Sequence, residues 1–340
     1  MDQTIKVSVI IPTHNRSDAL ARTLDHLSKQ RFEHAWEAIV VNNLCTDDTD
    51  DVVRGQRFPV PLRLVREDKP GASAARNAGA RAALGECLIF LDNDILVEPD
   101  FVQRHYDSLK SNSCRWILGQ VVSLPEQQRT PFGKFRMALQ PLIPPGAGLS
   151  EVRGLSGQLF SLPRADFERL GGFDETFSGA SVEDLEIALR AWQAGIKILI
   201  DPSIIGVHND WAGFSIRDYC HRQRLYSRSE PLLWSKYGAS HPRLKLVREN
   251  LPVMWREDSP ALIVRKLAKR LMGLRPAQEI LFGLCTLLER LWPAPTLLWR
   301  VYRALLSAAI YRGFREGLAM HSINREGRRL EYASRETPVT

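Results

Sequence analysis

The chain has 340 residues, 44% of them hydrophobic and 25% charged, a composition ordinary for a globular protein, and its length is compatible with one large domain or two smaller ones. The five cysteines, Cys45, Cys87, Cys114, Cys220 and Cys285, are scattered and form no CxxC pair, which argues against a zinc site or a disulfide framework. The opening MDQTIKVSVIIPTHNR has too short an apolar core and no small-residue cleavage site for a signal peptide, so a cytoplasmic location is the default expectation. The net charge of +7 is uneven: residues 241–340 hold 18 Lys+Arg against 9 Asp+Glu, leaving 28 against 30 in residues 1–240.

In chain order, KVSVII (6–11) reads as a buried strand, and Ser17 as the cap of a helix with Leu20, Leu24 and Leu27 on one face. EAIVV (37–41) is a second strand, followed by a short helix near 49–55, and PLRLV (61–65) is a third. A small-residue helix over 71–85 precedes a fourth strand, ECLIFL (86–91). This alternation predicts an α/β fold with a mostly parallel central sheet and helices on both faces, whose ligands sit beyond the carboxyl ends of the strands. No GxxxxGK[ST] occurs and no GxGxxG follows the first strand, so neither a P-loop nor a dinucleotide-binding fingerprint is present. RWILGQVV (115–122) is a further strand, and the Pro-rich stretch 125–145 reads as a loop. SVEDLEIALRAWQAG (181–195) reads as a helix whose Ser181 and Asp184 fit a capping box, and IKILI (196–200) is a strand leading to Pro202 and His208.

The fourth strand runs into Asp92, Asn93 and Asp94. Side chains at i and i+2 of an extended segment point the same way, so two carboxylates would converge and repel at the edge of a low-dielectric core. A divalent cation would relieve both costs. Taken alone, the pair could equally be a solvated turn.

VSVIIPTHNR, VVNNLCTDDT, GASAARNAG, FLDNDILVEPDF, GGFDETF, VEDLEIALR and the Pro202–His208 segment together resemble family 2 glycosyltransferases over residues 6–225, in that family's order. The resemblance implies the GT-A nucleotide-sugar-binding fold in residues 1–240, with 241–340 as a basic, mainly helical extension. It implies an inverting, non-processive enzyme that moves one sugar from a nucleotide-sugar donor to a saccharide or lipid-linked hydroxyl, in cell-surface polysaccharide or glycolipid assembly. Asp92 and Asp94 match the family's Asp-x-Asp, with Mg²⁺ or Mn²⁺ as the implied cofactor, and His208 stands where many members place a histidine near the metal. Donor contacts are implied for Pro12, Thr13, Asn15, Arg16, Asn42, Arg76, Asn77, Asp92 and Asn93. Asn42 replaces the usual aspartate, yet its amide can still pair with uracil or thymine, which favours a UDP- or dTDP-sugar. Cys45 replaces the usual serine and reads as a packed small residue. Glu183 and Asp184 match the acidic pair, Asp184 as the base that takes the acceptor's proton. GGFDETF is expected over the acceptor, with Phe173 as a platform and Asp174 as cap or contact.

Two other classes compete: a nucleotidyltransferase of related fold, whose Gly-rich basic loop after the first strand is missing, and a non-catalytic nucleotide-sugar-binding protein. Nucleic acid is disfavoured as a partner because the basic tail carries no recognisable motif. The tail segment 296–318 mixes Leu297, Leu298, Trp299, Leu305 and Leu306 with Arg300 and Arg303. This fits an interfacial helix at the inner face of the cytoplasmic membrane, or a core or oligomer-forming helix.

Overall fold

The computed structural model describes residues 4–111, 115–139, 142–144, 146–177, 182–209, 214–291, 295–324 and 326–328. The chain divides into two compact units, Met1–Phe214 and Ser215–Thr340. The first is built on β1 (Val7–Thr13), α1 (Ser17–Leu27), β2 (Trp36–Asn42), α2 (Thr49–Gly55), β3 (Leu62–Arg66), α3 (Ala72–Ala82), β4 (Cys87–Leu91), β5 (Ile95–Val97) and α4 (Phe101–Ser111). It continues with β6 (Arg115–Ser123), α5 (Pro125–Arg129), α6 (Pro131–Leu139), β7 (Ser150–Val152), β8 (Leu159–Pro163), α7 (Arg164–Leu170), α8 (Glu183–Gln193) and β9 (Lys197–His208).

The strands form one nine-stranded sheet in the order β3-β2-β1-β4-β8-β6-β9-β5, with β7 on β9. β3, β2, β1 and β4 are parallel, as the alternation predicts. β8 then runs antiparallel between β4 and β6, and β5 and β7 are antiparallel to β9, so the sheet as a whole is mixed. Both faces are covered. Val7, Val9 and Ile11 of β1 pack with Leu20, Leu24 and Leu27 of α1 and Phe101 of α4. Ile10 points the other way, against α3, into the cluster on the other face that also holds Ala75, Ala78, Ile187 and Ala188. Burial on both sides is why these strands are continuous apolar runs rather than alternating ones.

Three local readings change. Ser17 is the first helical residue rather than the cap; Arg16 precedes it in the left-handed region, and Asp47 Oδ2 accepts the Ser17 N–H at 2.8 Å. The Pro-rich stretch contains two helices, each begun by a proline whose missing N–H costs nothing at that position, and Phe132 and Phe135 anchor them in the interior. β9 does not end at Ile200. It carries Pro202 past a register shift opposite Leu118 and Gln120, an irregularity of the kind that accommodates proline in a sheet, and runs on to His208. Ser181 lies outside the described residues; Val182 precedes α8 and makes no side-chain cap bond.

The second unit comprises α9 (Ile216–Tyr226), α10 (Glu230–Tyr237), α11 (Leu244–Asn250), α12 (Pro260–Met272), α13 (Arg275–Leu291) and α14 (Pro295–Met320). α9 and α10 pack against α14, so the helical unit begins at 215 and takes in helices that the sequence reading grouped with residues 1–240. α14 is the centre of this unit: Leu298, Tyr302, Leu305, Ala308 and Phe314 are all buried. Gly313 and Gly317 let the α9 end come so close that a Cβ at either would overlap the carbonyl of Arg224 or Arg228. Segment 296–318 is therefore the packed core helix, not an interfacial one. Its arginines alternate with the buried face and reach outward or to partners such as Gln278, which Arg312 meets at 2.7 Å.

Gly79 sets the seat of α3 on the sheet. A Cβ there would overlap Ile10 Cγ2, a branched, fully buried side chain with nowhere to move. We expect Gly79→Ala to cost ~1–3 kcal/mol through overpacking, read as a lowered urea midpoint. An unchanged midpoint would mean that α3 does not sit this close to β1.

Candidate active site

The site forms where β1, β4 and β9 end. Residues 92–94 make a turn rather than an extended run: Ile95 N–H bonds back to Asp92 O (3.3 Å), and Thr23 Oγ1 donates to Asn93 O (2.9 Å). The two carboxylates therefore separate and meet different cations. Asp94 Oδ2 accepts from Arg16 Nη1 at 2.6 Å and lies 3.6 Å from His208 Nε2. The pairing of Ile95 with His208 across β5 and β9 brings that imidazole beside Asp94. Asp92 Oδ1 instead accepts from Arg76 Nη2 at 3.2 Å.

Arg76 is buried on α3. Its Nη1 donates to Glu183 Oε1 (2.9 Å), and Nη2 also reaches Gly157 O (3.0 Å). Gly157 in turn donates its N–H to Asp184 Oδ2 (3.1 Å), whose other oxygen accepts from Leu185 N–H (2.7 Å). A Cβ at Gly157 would lie 2.9 Å from Arg76 Nη2, so a larger residue here would have to displace the guanidinium. One buried cation thus ties together residues 76, 92, 157 and 183.

The electrostatics follow from this crowding. Burial, then the neighbouring Glu183, pushes Asp184 up to about 7, against smaller opposing effects of the Gly157 N–H and Arg76. Burial also raises Asp92, to about 6; Arg76 pulls the other way and Asp94 adds to the rise.

The remaining predicted residues have structural partners. Asn15 and Arg16 both have positive φ; Asn15 Oδ1 accepts from Thr46 N–H (2.8 Å), and Asn93 Nδ2 reaches Asn15 O (3.4 Å). Pro12 and Thr13 end β1, Thr13 buried with its hydroxyl on Ile11 O. His14 Nδ1 lies 2.7 Å from Asn43 O. Asn42 Oδ1 accepts from Cys45 N–H (2.8 Å) and its Nδ2 donates to Asp50 Oδ1 (2.5 Å), so one lone pair and one proton of the amide remain for a ligand. Cys45 packs as expected, its Sγ between Asn15 N and Thr13 O. Asn77 faces the GGFDE turn: Nδ2 donates to Phe173 O (2.9 Å) and Glu175 Oε1 (2.8 Å), and Oδ1 accepts from Phe173 N–H (2.9 Å). Phe173 is no platform; it is buried against Phe90, Phe160 and Phe167. Asp174 caps its own turn through Thr176.

Three contributors were not foreseen. Gly157 holds Arg76 and Asp184. Asn43 fixes the loop before α3, donating to Glu67 O and Lys69 O and accepting from Gly71 N–H. Asn209 donates its backbone N–H to Asp94 O (2.7 Å), and its buried Nδ2 has no hydrogen-bond partner among the described residues. The doubled Asn of VVNN and the His-Asn pair at the end of β9 were the available signals.

Two carboxylates and an imidazole are chemically suited to a hard divalent ion. Among the described residues, however, no three His, Cys, Asp or Glu side chains gather closely enough to hold one by themselves. Asp94 and His208 would offer a partial site, to be completed by a ligand's phosphate oxygens and water, the usual arrangement for Mg²⁺.

Residues 8–148 match the family Glycosyl transferase family 2, and residues 149–209 match one described as the N-terminal domain of galactosyltransferase. A validoxylamine A glucosyltransferase of Streptomyces hygroscopicus subsp. jinggangensis is 30% identical over 232 residues, covering 59% of this chain and 54% of that protein. The O-antigen biosynthesis protein RfbC of Myxococcus xanthus is 27% identical over 259 residues, 71% of this chain and 19% of that protein. The chain spans about half the length of the validoxylamine A glucosyltransferases it matches, and about a fifth of RfbC. Among solved structures, the mannosyltransferase PcManGT of Pyrobaculum calidifontis, in complex with GDP-Man and Mn²⁺, superposes with a TM-score of 0.56 at 20% identity, covering 92% of this chain and 88% of that one. GalNAc-T7 with UDP, GalNAc and Mn²⁺ gives 0.53 at 17% identity over 78% and 54%. The fold is that of the GT-A glycosyltransferases. Residues 8–148 are similar to glycosyltransferase family 2.

Arg76 is the cation on which the buried carboxylates depend. Arg76→Gln should cost ~3–5 kcal/mol near neutral pH by leaving Glu183 and Asp92 uncompensated. Because raised carboxyl pKa values mean that the folded state binds the extra protons, that cost should shrink as pH falls through about 7 and about 6. Denaturant titrations at pH 8 and pH 5 check the sign; a loss that is equal or larger at pH 5 contradicts the assignment.

Proposed function

We propose that the first unit catalyses inverting transfer of a single sugar from a nucleotide-sugar donor to an acceptor hydroxyl. The observation that carries this reading is Asp184: a carboxylate pushed up to about 7, held by the Gly157 N–H in the same cluster as Arg76 and Asp92 at the strand ends. A base that takes a hydroxyl proton works best with a pKa near the working pH, and burial has moved Asp184 there. Glu183, locked to Arg76, holds the arrangement together and keeps the Asp184 pKa high.

The donor is a UDP- or dTDP-sugar in this reading, its base edge near Asn42 and its diphosphate near Asp92, Asn93, Asp94 and Arg16. Mg²⁺ or Mn²⁺ would be held by Asp94 with His208 and Asp92 nearby, and would neutralise the charge of the departing nucleoside diphosphate. Arg16 holds the same Asp94 oxygen; its side chain is half exposed and can swing off that oxygen toward the diphosphate. Structural relatives in complex with GDP-Man and Mn²⁺, and with UDP, GalNAc and Mn²⁺, support donor and metal classes of this kind. The acceptor is a saccharide or a lipid-linked sugar, presented on the cytoplasmic side of the membrane, in surface polysaccharide or glycolipid assembly. O-antigen and teichuronic acid biosynthesis proteins among the relatives support that setting.

Asp184→Asn tests the assignment. Turnover should fall by at least ~100-fold with donor affinity changed by less than about twofold, as expected for loss of a group acting only in the transition state. In the native chain kcat should rise with pH through a midpoint of about 7, since the base must be ionised. A variant with normal turnover, or a profile flat from pH 5.5 to 8, refutes the role.

A further inference from the structure

Helix α12 is inverted with respect to water. Lys266 and Lys269 are buried, at 1% and 5% exposure, while Val264 and Leu271 on the same helix stand 66% and 63% exposed. The lysines are satisfied internally: Lys266 Nζ donates to Asp258 Oδ2 (2.7 Å) and Pro252 O (3.2 Å), and Lys269 Nζ sits 3.3 Å from both Glu249 Oε2 and Asn250 Oδ1. Burying two ammonium groups while leaving branched aliphatics in water is costly on both counts. The arrangement is economical only where the outer face meets something apolar.

The apolar face is continuous in pattern. Val264, Leu267 and Leu271 follow one side of α12 at spacings of three and four, and the exposed Leu274 comes just after its end. Ile280, Leu284 and Leu287 do the same on α13, with Ile280 72% exposed. Trp255, also 72% exposed, precedes α12. The two helices are bent by 84° at their junction, and together, but not singly, they have the length and hydropathy of a membrane span. No single helix among the described residues is long and apolar enough to cross a membrane. α12, with 13 residues, is ~20 Å long, short of the ~30 Å hydrocarbon core. Such an elbow suits lying in a bilayer surface rather than spanning it. The exposed charges along it are mostly positive: Arg256, Arg265, Arg270, Arg275 and Arg290 stand against Glu257 and Glu279, with Arg265 paired to Glu249 and Glu279 to Arg217, each at 2.8 Å.

We propose that the α12–α13 elbow, with Trp255, seats the chain on an anionic phospholipid surface. The apolar stripes enter the boundary between headgroups and acyl chains, and the flanking guanidiniums meet lipid phosphates. The charge complementarity is what favours lipid over a second copy of the chain, whose identical arginine rim would repel. The proposal does not rest on the transferase reading, and its test involves no turnover.

The full chain is centrifuged with vesicles of phosphatidylglycerol mixed with phosphatidylcholine, and with phosphatidylcholine alone. Anionic vesicles should carry down at least ~10-fold more protein at about 0.1 M salt, with the excess shrinking as salt rises and the arginines are screened. The surface variant Leu271→Glu/Ile280→Glu touches no part of the candidate active site. It should lose this binding while keeping the native thermal midpoint and nucleotide affinity. Equal recovery with and without vesicles overturns the proposal. So does a dimer of the native chain, seen by analytical ultracentrifugation, that the double variant dissociates without any change in vesicle binding; the elbow would then be covered by a second copy.

Discussion

The active-site architecture depends on one guanidinium. Arg76 is buried with its Nη atoms on Glu183, Asp92 and the carbonyl of Gly157, and through the Gly157 loop it positions Asp184. One positive charge therefore answers three carboxylates in a low-dielectric setting, and the balance stays negative. That surplus has a direct consequence: burial and mutual repulsion raise Asp92 to about 6 and Asp184 to about 7, so the cluster is poised to accept a proton or a further cation near neutral pH. The proposed chemistry, removal of a proton from a hydroxyl beside a departing diphosphate, would use both properties.

The scaffold explains why the groups meet. α3 can bring Arg76 down to the strand ends because Gly79 lets it lie against Ile10. β9 passes Pro202 by shifting register and then pairs its last residue with Ile95, which delivers His208 to Asp94. Asn77, from the same helix as Arg76, ties down the GGFDE turn at Phe173, so one helix turn organises two loops distant in sequence. The clustered carboxylates are thus held by elements whose own positions are set by apolar packing on both faces of the sheet.

Much of this was legible beforehand, and the parts that were not share a cause. The parallel half of the sheet was readable because strands covered on both faces are unbroken apolar runs, and α2 because its ends are marked by Thr49 and Gly55. Local patterning contains no record of antiparallel partners, so the insertion of β8 between β4 and β6 was invisible. Asp92, Asp94, Glu183, Asp184 and Arg76 were picked out as a set, but their pairing was not. Extended geometry predicted that the two aspartates converge, whereas the turn at Asn93 sends them to Arg76 and Arg16. Asn77 and Phe173 were read as ligand contacts because both lie in motif segments; the structure uses them to hold the motif's shape. In the second unit, composition alone could not tell which helix faces outward. α14 has the apolar content and is buried, while α12 hides its lysines and exposes its leucines.

The most direct test of the central claim is product analysis. The full chain is incubated with a panel of UDP-, dTDP- and GDP-sugars, with Mn²⁺ or with EDTA, and the nucleotide products are separated. Release of a nucleoside diphosphate from at least one donor, dependent on the metal and lost in Arg76→Gln and Asp184→Asn at a pH where both remain folded, is the result predicted. Donor binding without any release, or formation of nucleoside monophosphate or triphosphate products, would contradict it in favour of a binding protein or a nucleotidyl-transferring enzyme.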